Sequence, residues 1–275
     1  MIQGFFLPAS IGGRYCVLHR PAMASGRGVV VIPPFAEEAN KSRSNLAAVA
    51  RALAAEGAHV LFVDLFGTGD SAGDFGDADW SAWTDDVRLA AAHLRALGCA
   101  RITLLGLRTG CLLAAAALGA GVEADDLVLL APQSSGRQVL TQFLRLGAAS
   151  ELGADAAARI DTRARRAELA AGRSIEIAGY TLSPALADGL EAASLELPQA
   201  FRGPLAWLEV SSAADAALSP AARIAIEKLQ AHGLAVDAQC VPGPAFWQTQ
   251  EIEFVAGLPQ TCVRAWVGLA EKAGA

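Results

Sequence analysis

A short stretch at residues 106–110, which reads Gly-Leu-Arg-Thr-Gly, most constrains what this chain can fold into. It follows an apolar run at residues 101–105 and precedes an alanine- and leucine-rich run at residues 111–118. This order predicts a buried strand, a tight turn between two glycines, and then a helix. The apex of the turn is Arg108, so the sequence places a permanent positive charge where the strand ends and the helix begins.

The rest of the chain alternates apolar runs with helical patterns. Two short alternating runs, at residues 5–10 and 15–20, predict an opening hairpin. Further strands are predicted at residues 28–32, 58–63, 101–105, 127–130, 204–210 and 235–241. Helices are predicted at residues 44–56, 80–97, 111–118, 220–232 and 251–269. This alternation is typical of an α/β fold with a mostly parallel central sheet and helices on both faces.

The alternation stops between residues 133 and 201. This segment has helical stretches, such as residues 138–146 and 154–171, and no strong buried strand. We predict that it is a helical lid inserted over the C-terminal edge of the sheet, and that residues 1–132 and 202–275 form the core. Its second helix carries arginines that are expected on a solvated face or, alternatively, around a ligand, namely Arg163, Arg165 and Arg166.

Composition excludes several classes of function. Hydrophobic residues make up 53% of the 275 residues and charged residues 18%, which is enough for a substantial core. The net charge of -6 argues against binding to nucleic acid or to an acidic membrane face. No apolar run approaches the roughly 20 residues of a membrane span, and no basic leader is seen, so a cytoplasmic protein is expected. The five scattered cysteines, without a C-x-x-C pair, indicate reduced thiols; no metal and no cofactor are expected.

The turn at residues 106–110 has the frame of the nucleophile elbow of α/β hydrolases, G-x-S-x-G, with arginine in place of serine. With the order of elements and the glycine-rich turn at residues 64–71, the whole chain resembles the α/β-hydrolase superfamily. Three blocks, at residues 33–43, 64–75 and 106–110, resemble the exosortase A system-associated hydrolase 2 family. Members of that family resemble serine hydrolases and are encoded beside exopolysaccharide and protein-sorting genes of Gram-negative bacteria. The resemblance implies an α/β-hydrolase fold and a link to exosortase and exopolysaccharide machinery.

The resemblance also implies positions for a catalytic triad. The nucleophile position holds Arg108, which cannot lose its proton near neutral pH. The acid position, after the strand predicted at residues 204–210, is filled by Asp215. The histidine position lies between residues 242 and 251, where no histidine occurs. A Ser-His-Asp mechanism is therefore predicted to be absent.

An anion-binding arrangement nevertheless remains at the elbow. The helix that begins near Thr109 presents free N–H groups, and the backbone of Phe35 and Ala36 is expected opposite. Arg108 adds a planar set of donors suited to carboxylate or phosphate. Internal pairing with Glu37 or Glu38 is the alternative use of this charge, and it is compatible with ligand binding. In the loop without the histidine, two aromatic residues are expected to offer an apolar or sugar-stacking surface or to pack in the core, namely Phe246 and Trp247.

Three functions stay open at this point. The first is a noncatalytic or noncanonical family member that binds a small anionic or polar ligand at Arg108, Glu37 and Glu38. The second is a hydrolase or acyltransferase for esters, thioesters or amides that uses a displaced nucleophile. The candidates for that nucleophile are Thr109, Cys111, Ser42, Ser71, Ser134 and Ser135. The third is a structural scaffold whose pocket is filled by its own side chains, and a homodimer is compatible with all three.

Overall fold

The computed structural model describes residues 1–150, 162–213 and 217–273. The strands in these ranges are β1 (Ile2–Pro8), β2 (Gly13–His19), β3 (Arg27–Ile32), β4 (His59–Val63), β5 (Arg101–Leu107), β6 (Asp126–Leu130), β7 (Ile175–Ile177), β8 (Tyr180–Leu182), β9 (Leu205–Ser211) and β10 (Val236–Pro242). The helices are α1 (Glu37–Ala55), α2 (Trp80–Ala96), α3 (Thr109–Gly119), α4 (Gly136–Ser150), α5 (Thr162–Ala170), α6 (Pro184–Ala192), α7 (Pro220–Ala231) and α8 (Leu258–Ala273). No helix in the described ranges is long and apolar enough to cross a membrane.

Eight of these strands form one sheet in the order β1-β2-β4-β3-β5-β6-β9-β10. Strand β2 is antiparallel to both its neighbours, whereas all pairs from β4 to β10 are parallel. The predicted α/β class and mostly parallel sheet are therefore confirmed. Along β3, Val30 and Ile32 join the core shared with α2 and α3, and Val29 and Val31 join the core shared with α1 and α8. Burial on both faces explains why the sequence of β3 is a continuous apolar run.

Helix α1 begins at Glu37, well before the predicted start at residue 44. The prediction was wrong because the polar run at residues 37–43 was assigned to a loop. Acidic side chains in a first helical turn interact favourably with the helix dipole, which stabilises this earlier start. Ala36, with a φ of 50°, turns the chain into the helix. Glu37 and Glu38 are consequently held on a helix and not on a loop.

Helix α8 begins at Leu258, later than the predicted start at residue 251. Pro259 occupies the second helical position, where its missing N–H removes no intrahelical bond. The same proline in the middle of a longer helix would break that helix. Glu251, predicted as the first helical residue, therefore lies in an exposed loop.

The segment between β6 and β9 contains α4, α5, α6 and a small antiparallel hairpin formed by β7 and β8. The hairpin was not predicted, because each strand has only 3 residues and shows no readable alternation. Of the second predicted helix, residues 154–161 lie outside the described residues, and the described part is α5. An isolated β-bridge between Ser135 and Ser194 joins the two ends of this segment.

The arginines of α5 hold neighbouring parts of this segment together. Arg165 is buried, and its Nη1 donates to the carbonyl oxygen of Leu144 at 2.6 Å. Arg166 donates to Glu191 on α6 at 2.8 Å. The expected solvated face is therefore found for the exposed Arg163 but not for Arg165.

Candidate ligand site at the turn between β5 and α3

The turn between β5 and α3 places Arg108 at the edge where the parallel strands end. Its backbone has φ 55° and ψ -115°, a conformation that few residues other than glycine adopt. The two flanking glycines are required by close packing. A Cβ atom at Gly110 would lie 2.3 Å from the carbonyl oxygen of Ile32, and one at Gly106 would lie 2.6 Å from the backbone nitrogen of Cys111. The predicted strand, tight turn and helix are all present.

Helix α1 begins beside this turn and brings Glu38 to Arg108. Nε of Arg108 donates to Oε2 of Glu38 at 3.3 Å, and Nη2 donates to Oε1 at 3.1 Å. The two side chains are 15% and 21% exposed. Such a two-bond pairing matches the fork of a guanidinium to both oxygens of a carboxylate. The internal partner of Arg108 is thus Glu38 and not Glu37.

Two further side chains close around the guanidinium of Arg108. Gln133, which follows β6, accepts from Nη1 and Nη2 when its amide oxygen faces the arginine. The ring of Trp247, which follows β10, has its centroid 4.8 Å from Cζ, within the range of a cation–π contact. Trp247 stands in the loop where the resemblance implies a catalytic histidine. The side chain of Arg108 therefore connects the turn after β5 with the segments after β6 and β10 and with the start of α1.

Burial changes the ionisation of two groups at the elbow. It raises the pKa of Glu38, and the attraction and hydrogen bonds of Arg108 oppose this only in part. Burial also raises the pKa of Cys111 far above its usual range, although this thiol lies in the first turn of α3. The Cys111 thiol donates to the carbonyl oxygen of Gly106 at 3.1 Å. It is therefore a protonated core side chain at neutral pH and not an activated nucleophile.

A small cavity of about 50 Å³ lies beside the guanidinium, and we call it the elbow opening. Helices α1 and α3 contribute Glu37, Glu38 and Thr109 to its wall, and α4 contributes apolar side chains. Among the described residues, the carboxylate of Glu37 has no ion pair or hydrogen bond. The buried hydroxyl of Thr109 also has no partner. Buried polar groups normally find a partner, so the Thr109 hydroxyl can receive one from a ligand or from water, and the half-buried carboxylate of Glu37 can do the same.

The sheet order and the elbow geometry agree with a known family. A family model described as Hydrolase_4, serine aminopeptidase S33, matches residues 27–176, more than half of the chain. The chain belongs to this S33 family. No curated protein is found to be similar in sequence.

Several solved structures have the same fold, and each aligns with nearly the whole length of this S33-family chain. Est1E from Butyrivibrio proteoclasticus with bound ferulic acid is 16% identical, with a TM-score of 0.66 over 97% of this chain and 99% of that one. An α/β serine hydrolase without lid from Xanthomonas campestris is 16% identical, with a TM-score of 0.56 over 96% and 94%. A proline iminopeptidase-related protein from Thermus thermophilus is 19% identical, with a TM-score of 0.58 over 98% and 99%. At these identities the likeness shows the α/β-hydrolase fold alone.

The other triad positions of this S33-family chain can be placed only in part. Asp215, predicted at the acid position, lies outside the described residues. All histidines of the chain are described, and none lines the elbow opening. They lie at the end of β2, the start of β4, the last turn of α2 and just after α7, namely His19, His59, His93 and His232.

The remaining residues predicted for the site lie at different distances from the elbow opening, and only Phe35 lines it. Phe35 lines the elbow opening and packs its ring against Phe143 of α4 at 4.9 Å between centroids. Ala36 faces a different pocket on the other side of the loop. Phe246 is fully buried in the core beside α8 and packs on Trp247 at 5.1 Å. Trp247 reaches the site through its contact with Arg108 and not through the lining of the opening.

Sequence reasoning missed the contribution of the segment after β6. Gln133 bonds to Arg108, and Val139, Gln142 and Phe143 of α4 line the elbow opening. Gln133 directly follows Ala131-Pro132 at the end of a predicted strand. From this position alone, the sequence could have indicated Gln133 as a site residue. Parallel strands bring the residues after their C-terminal ends to one edge, so a polar side chain there is a candidate for the site.

Proposed function

We propose that this member of the S33 family has no serine-hydrolase activity and binds a polar group of a small molecule at the elbow opening. One observation carries the proposal: the elbow apex is an arginine whose guanidinium is held by Glu38, Gln133 and the ring of Trp247. A guanidinium keeps its proton at neutral pH and cannot attack a carbonyl carbon. The side chains that contact the guanidinium also occupy the space beside Arg108 in which the side chain of a catalytic base would have to lie.

The chemistry of the elbow opening favours a hydroxyl or ammonium group over an anion. The charge of Arg108 is already compensated by Glu38, which weakens its attraction for a second carboxylate or phosphate. Glu37 supplies an uncompensated carboxylate, which accepts hydrogen bonds. The opening of about 50 Å³ has room for one functional group and not for a whole molecule. The polar end of a larger ligand therefore enters there.

The described parts of residues 133–201 support a lid over the elbow. Helix α4 places Val139, Gln142 and Phe143 in the wall of the elbow opening. We therefore keep residues 1–132 and 202–275 as the core and treat residues 133–201 as the lid. Movement of α4 would then control access to Glu37.

The biological setting that we propose follows from the exosortase-associated resemblance. Two of its three blocks, at residues 33–43 and 106–110, meet at the pair formed by Glu38 and Arg108. The block at residues 64–75 contributes to the adjoining pocket. Supported by these blocks, the proposed role is cytoplasmic and lies beside exopolysaccharide production or the processing of sorting signals. A hydroxyl-rich ligand suits the free carboxylate of Glu37.

Titration with three small probes tests the proposed ligand chemistry. Ethanolamine, ethylene glycol and sodium acetate are added to ¹⁵N-labelled protein, and the Arg108 Nε–H signal is followed by NMR. Ethanolamine and ethylene glycol are expected to shift this signal saturably, and Glu37→Gln is expected to abolish the ethanolamine effect. Glu271→Gln, an exposed carboxylate on α8, serves as the control. Acetate that acts at least as strongly as ethanolamine contradicts the proposed polarity.

A scaffold with a self-filled pocket is the second candidate, and one observation favours it. Glu38, Gln133 and Trp247 use much of the bonding capacity of Arg108 without any ligand. If none of the three probes shifts the Arg108 signal, the scaffold replaces the binding function.

The contacts of the candidate nucleophiles do not favour a displaced one. Cys111 and Ser42 are fully buried, and Thr109 has no histidine beside it. The Ser71 hydroxyl donates to the carbonyl oxygen of Asp64, and neither Ser134 nor Ser135 lines the elbow opening.

A further inference from the structure

We infer that a second and larger pocket, beside α1, binds a neutral aromatic molecule that carries one hydrogen-bonding substituent. This α1 pocket has a volume of about 420 Å³ and shares no lining residue with the elbow opening. The loop before α1 separates the two, since Ala36 lines the α1 pocket whereas Phe35 and Glu37 line the opening. Its size falls within the range of about 300–1,000 Å³ that is usual for small-molecule sites.

The walls of the α1 pocket are mostly apolar. Val17 of β2 and Phe62 of β4 form one side, and Leu46 and Ala47 of α1 form the other. The side chains of Val17 and Phe62 are partly exposed within the wall of this pocket. A ligand that covers them removes apolar surface from water, which is the main source of its binding free energy.

Three aromatic rings form one end of the α1 pocket and favour a flat ligand. Phe75 packs edge-on against Tyr180 at 5.0 Å and against Trp83 at 6.1 Å. Each of these residues lines the pocket. The mutual packing fixes the rings, so they offer edges and faces to a further ring at no cost in side-chain ordering. Tyr180 lies on the hairpin β7–β8, so the inserted segment completes this end of the pocket.

Polar groups at the rim can orient a single substituent. Asn40 Nδ2 donates to the hydroxyl of Tyr180 at 3.4 Å. This contact leaves the Tyr180 hydroxyl proton and the Asn40 amide oxygen for a ligand. A phenolic hydroxyl or an amide, which both donate and accept, matches this pair.

The charges in the lining of the α1 pocket cancel. Arg43 Nη2 lies 3.0 Å from Oδ1 of Asp64, and the backbone N–H of Asp70 donates to the other carboxylate oxygen. Burial, with a smaller contribution from Arg51, lowers the pKa of His19, so this imidazole is neutral at pH 7. An ionised ligand would lose hydration without gaining an opposite charge, whereas a neutral ligand avoids that penalty.

Calorimetric titration of the full chain with a matched series tests the chemical class. The series consists of 4-butylphenol, 4-butylbenzoate and 4-butylbenzylamine, which differ in the charge of the polar end. We expect saturable binding of 4-butylphenol with one site per chain. We expect at least about tenfold weaker binding of both charged analogues, which corresponds to about 1.4 kcal/mol. No binding of 4-butylphenol, or equal binding of a charged analogue, overturns the inference.

Two measurements test the position. Ala47→Phe fills the α1 pocket and is expected to weaken 4-butylphenol binding about tenfold or more, whereas Ala55→Phe, exposed on the same helix, leaves it unchanged. In the unaltered protein, intermolecular NOEs from 4-butylphenol to the rings of Tyr180 and Phe75 are expected. NOEs confined to other residues, or equal affinity in Ala47→Phe, overturn the placement. This test uses neither Glu37 nor Arg108, so its outcome is independent of the function proposed for the elbow opening.

Discussion

The side chain of Arg108 extends from the turn after β5 to Glu38 on α1, to Gln133 after β6 and to Trp247 after β10. A serine at this position could reach none of these partners. The arginine therefore joins parts of the chain that only the sheet brings together. Its presence could be read from the sequence, but its partners could not, because side-chain direction depends on contacts between distant residues.

Replacement of Glu38 tests the energetic weight of this pairing. In Glu38→Ala the guanidinium of Arg108 loses its carboxylate while it stays mostly buried. We expect the free energy of unfolding to fall by about 2 kcal/mol, the usual range for hydrogen bonds to charged groups. Chemical denaturation measures this change. In Glu37→Ala, the control in the same helical turn, the change should stay within about 0.5 kcal/mol; equal losses in the two variants would refute the assignment of the partner.

The pKa of Glu38 provides a second test at this scale. Burial raises the pKa of Glu38 above its usual value of 4.5, and the nearby charge of Arg108 offsets part of this rise. Arg108→Leu should therefore raise the pKa of Glu38 further, as measured by ¹³C NMR titration of the carboxyl carbons. Arg43→Leu, which removes an arginine that pairs with Asp64, should leave the Glu38 value unchanged. A lower pKa in Arg108→Leu would show that Arg108 does not stabilise the charged form.

The raised pKa of Glu38 also makes the stability of the protein depend on pH. Because the folded pKa of Glu38 is raised, the folded state binds its proton more tightly than the unfolded state does. The pH-dependent part of the contribution of Glu38 to stability is therefore fully present below about pH 4.5 and is lost as the pH rises through the folded value, whereas the hydrogen bonds to Arg108 limit this loss. In Arg108→Leu this loss should be larger and should extend to higher pH, as measured by urea denaturation across that range. An unchanged pH profile would contradict the role of Arg108.

At the scale of elements, the starts of α1 and α3 decide the geometry of the site. Both helices follow a residue with positive φ, Ala36 at 50° and Arg108 at 55°. The glycines at residues 106 and 110 made the second start predictable. No comparable signal marks Ala36, so the first start was missed and Glu38 was placed on a loop. The predicted start of α8 was also wrong. Proline is tolerated in the first turn of a helix but breaks a helix in its middle, so Pro259 indicates a start near residue 258 only if it is recognised as a first-turn residue.

Gly110→Ala tests the close contact between α3 and β3. The new Cβ would lie 2.3 Å from the carbonyl oxygen of Ile32 and 2.8 Å from that of Pro33. Both atoms belong to the backbone, so we expect a loss of about 3 kcal/mol or more in the free energy of unfolding. Gly119→Ala, in the same helix with open space around it, should gain about 0.5–1 kcal/mol in thermal or chemical denaturation. A neutral effect of Gly110→Ala would show that the turn is not tightly packed.

At the scale of the whole molecule, one edge of the sheet carries two separate cavities. The α1 pocket lies on the side of β2 and β4, and the elbow opening lies between α1, α3 and α4. The strand and helix alternation was sufficient to predict the sheet and its class. It could not predict that a single loop divides the edge into two cavities, because Phe35, Ala36 and Glu37 point to different sides within three consecutive residues.

Thiol accessibility tests the burial of the whole core. Four cysteines are buried, and Cys240 is half-exposed. Burial raises the pKa of Cys16 to about 12 and has the same effect on the Cys262 thiol. In native protein at pH 8, iodoacetamide should therefore modify Cys240 at most, whereas unfolded protein should take up five labels. Mass spectrometry reads the result, and labelling of Cys111 in the native state would reveal an accessible thiol at the elbow.

We propose that Arg108 replaces, and does not merely modify, the catalytic nucleophile of the S33 family. The most direct measurement is treatment of the native full chain with a fluorophosphonate probe, followed by intact mass and peptide mapping. The serine hydrolase from Xanthomonas campestris that shares the fold serves as the positive control. We predict no adduct beyond that of heat-denatured protein. Stoichiometric labelling of one serine in the native protein, lost on denaturation, would show that the chain keeps an activated serine nucleophile and that Arg108 has not replaced it.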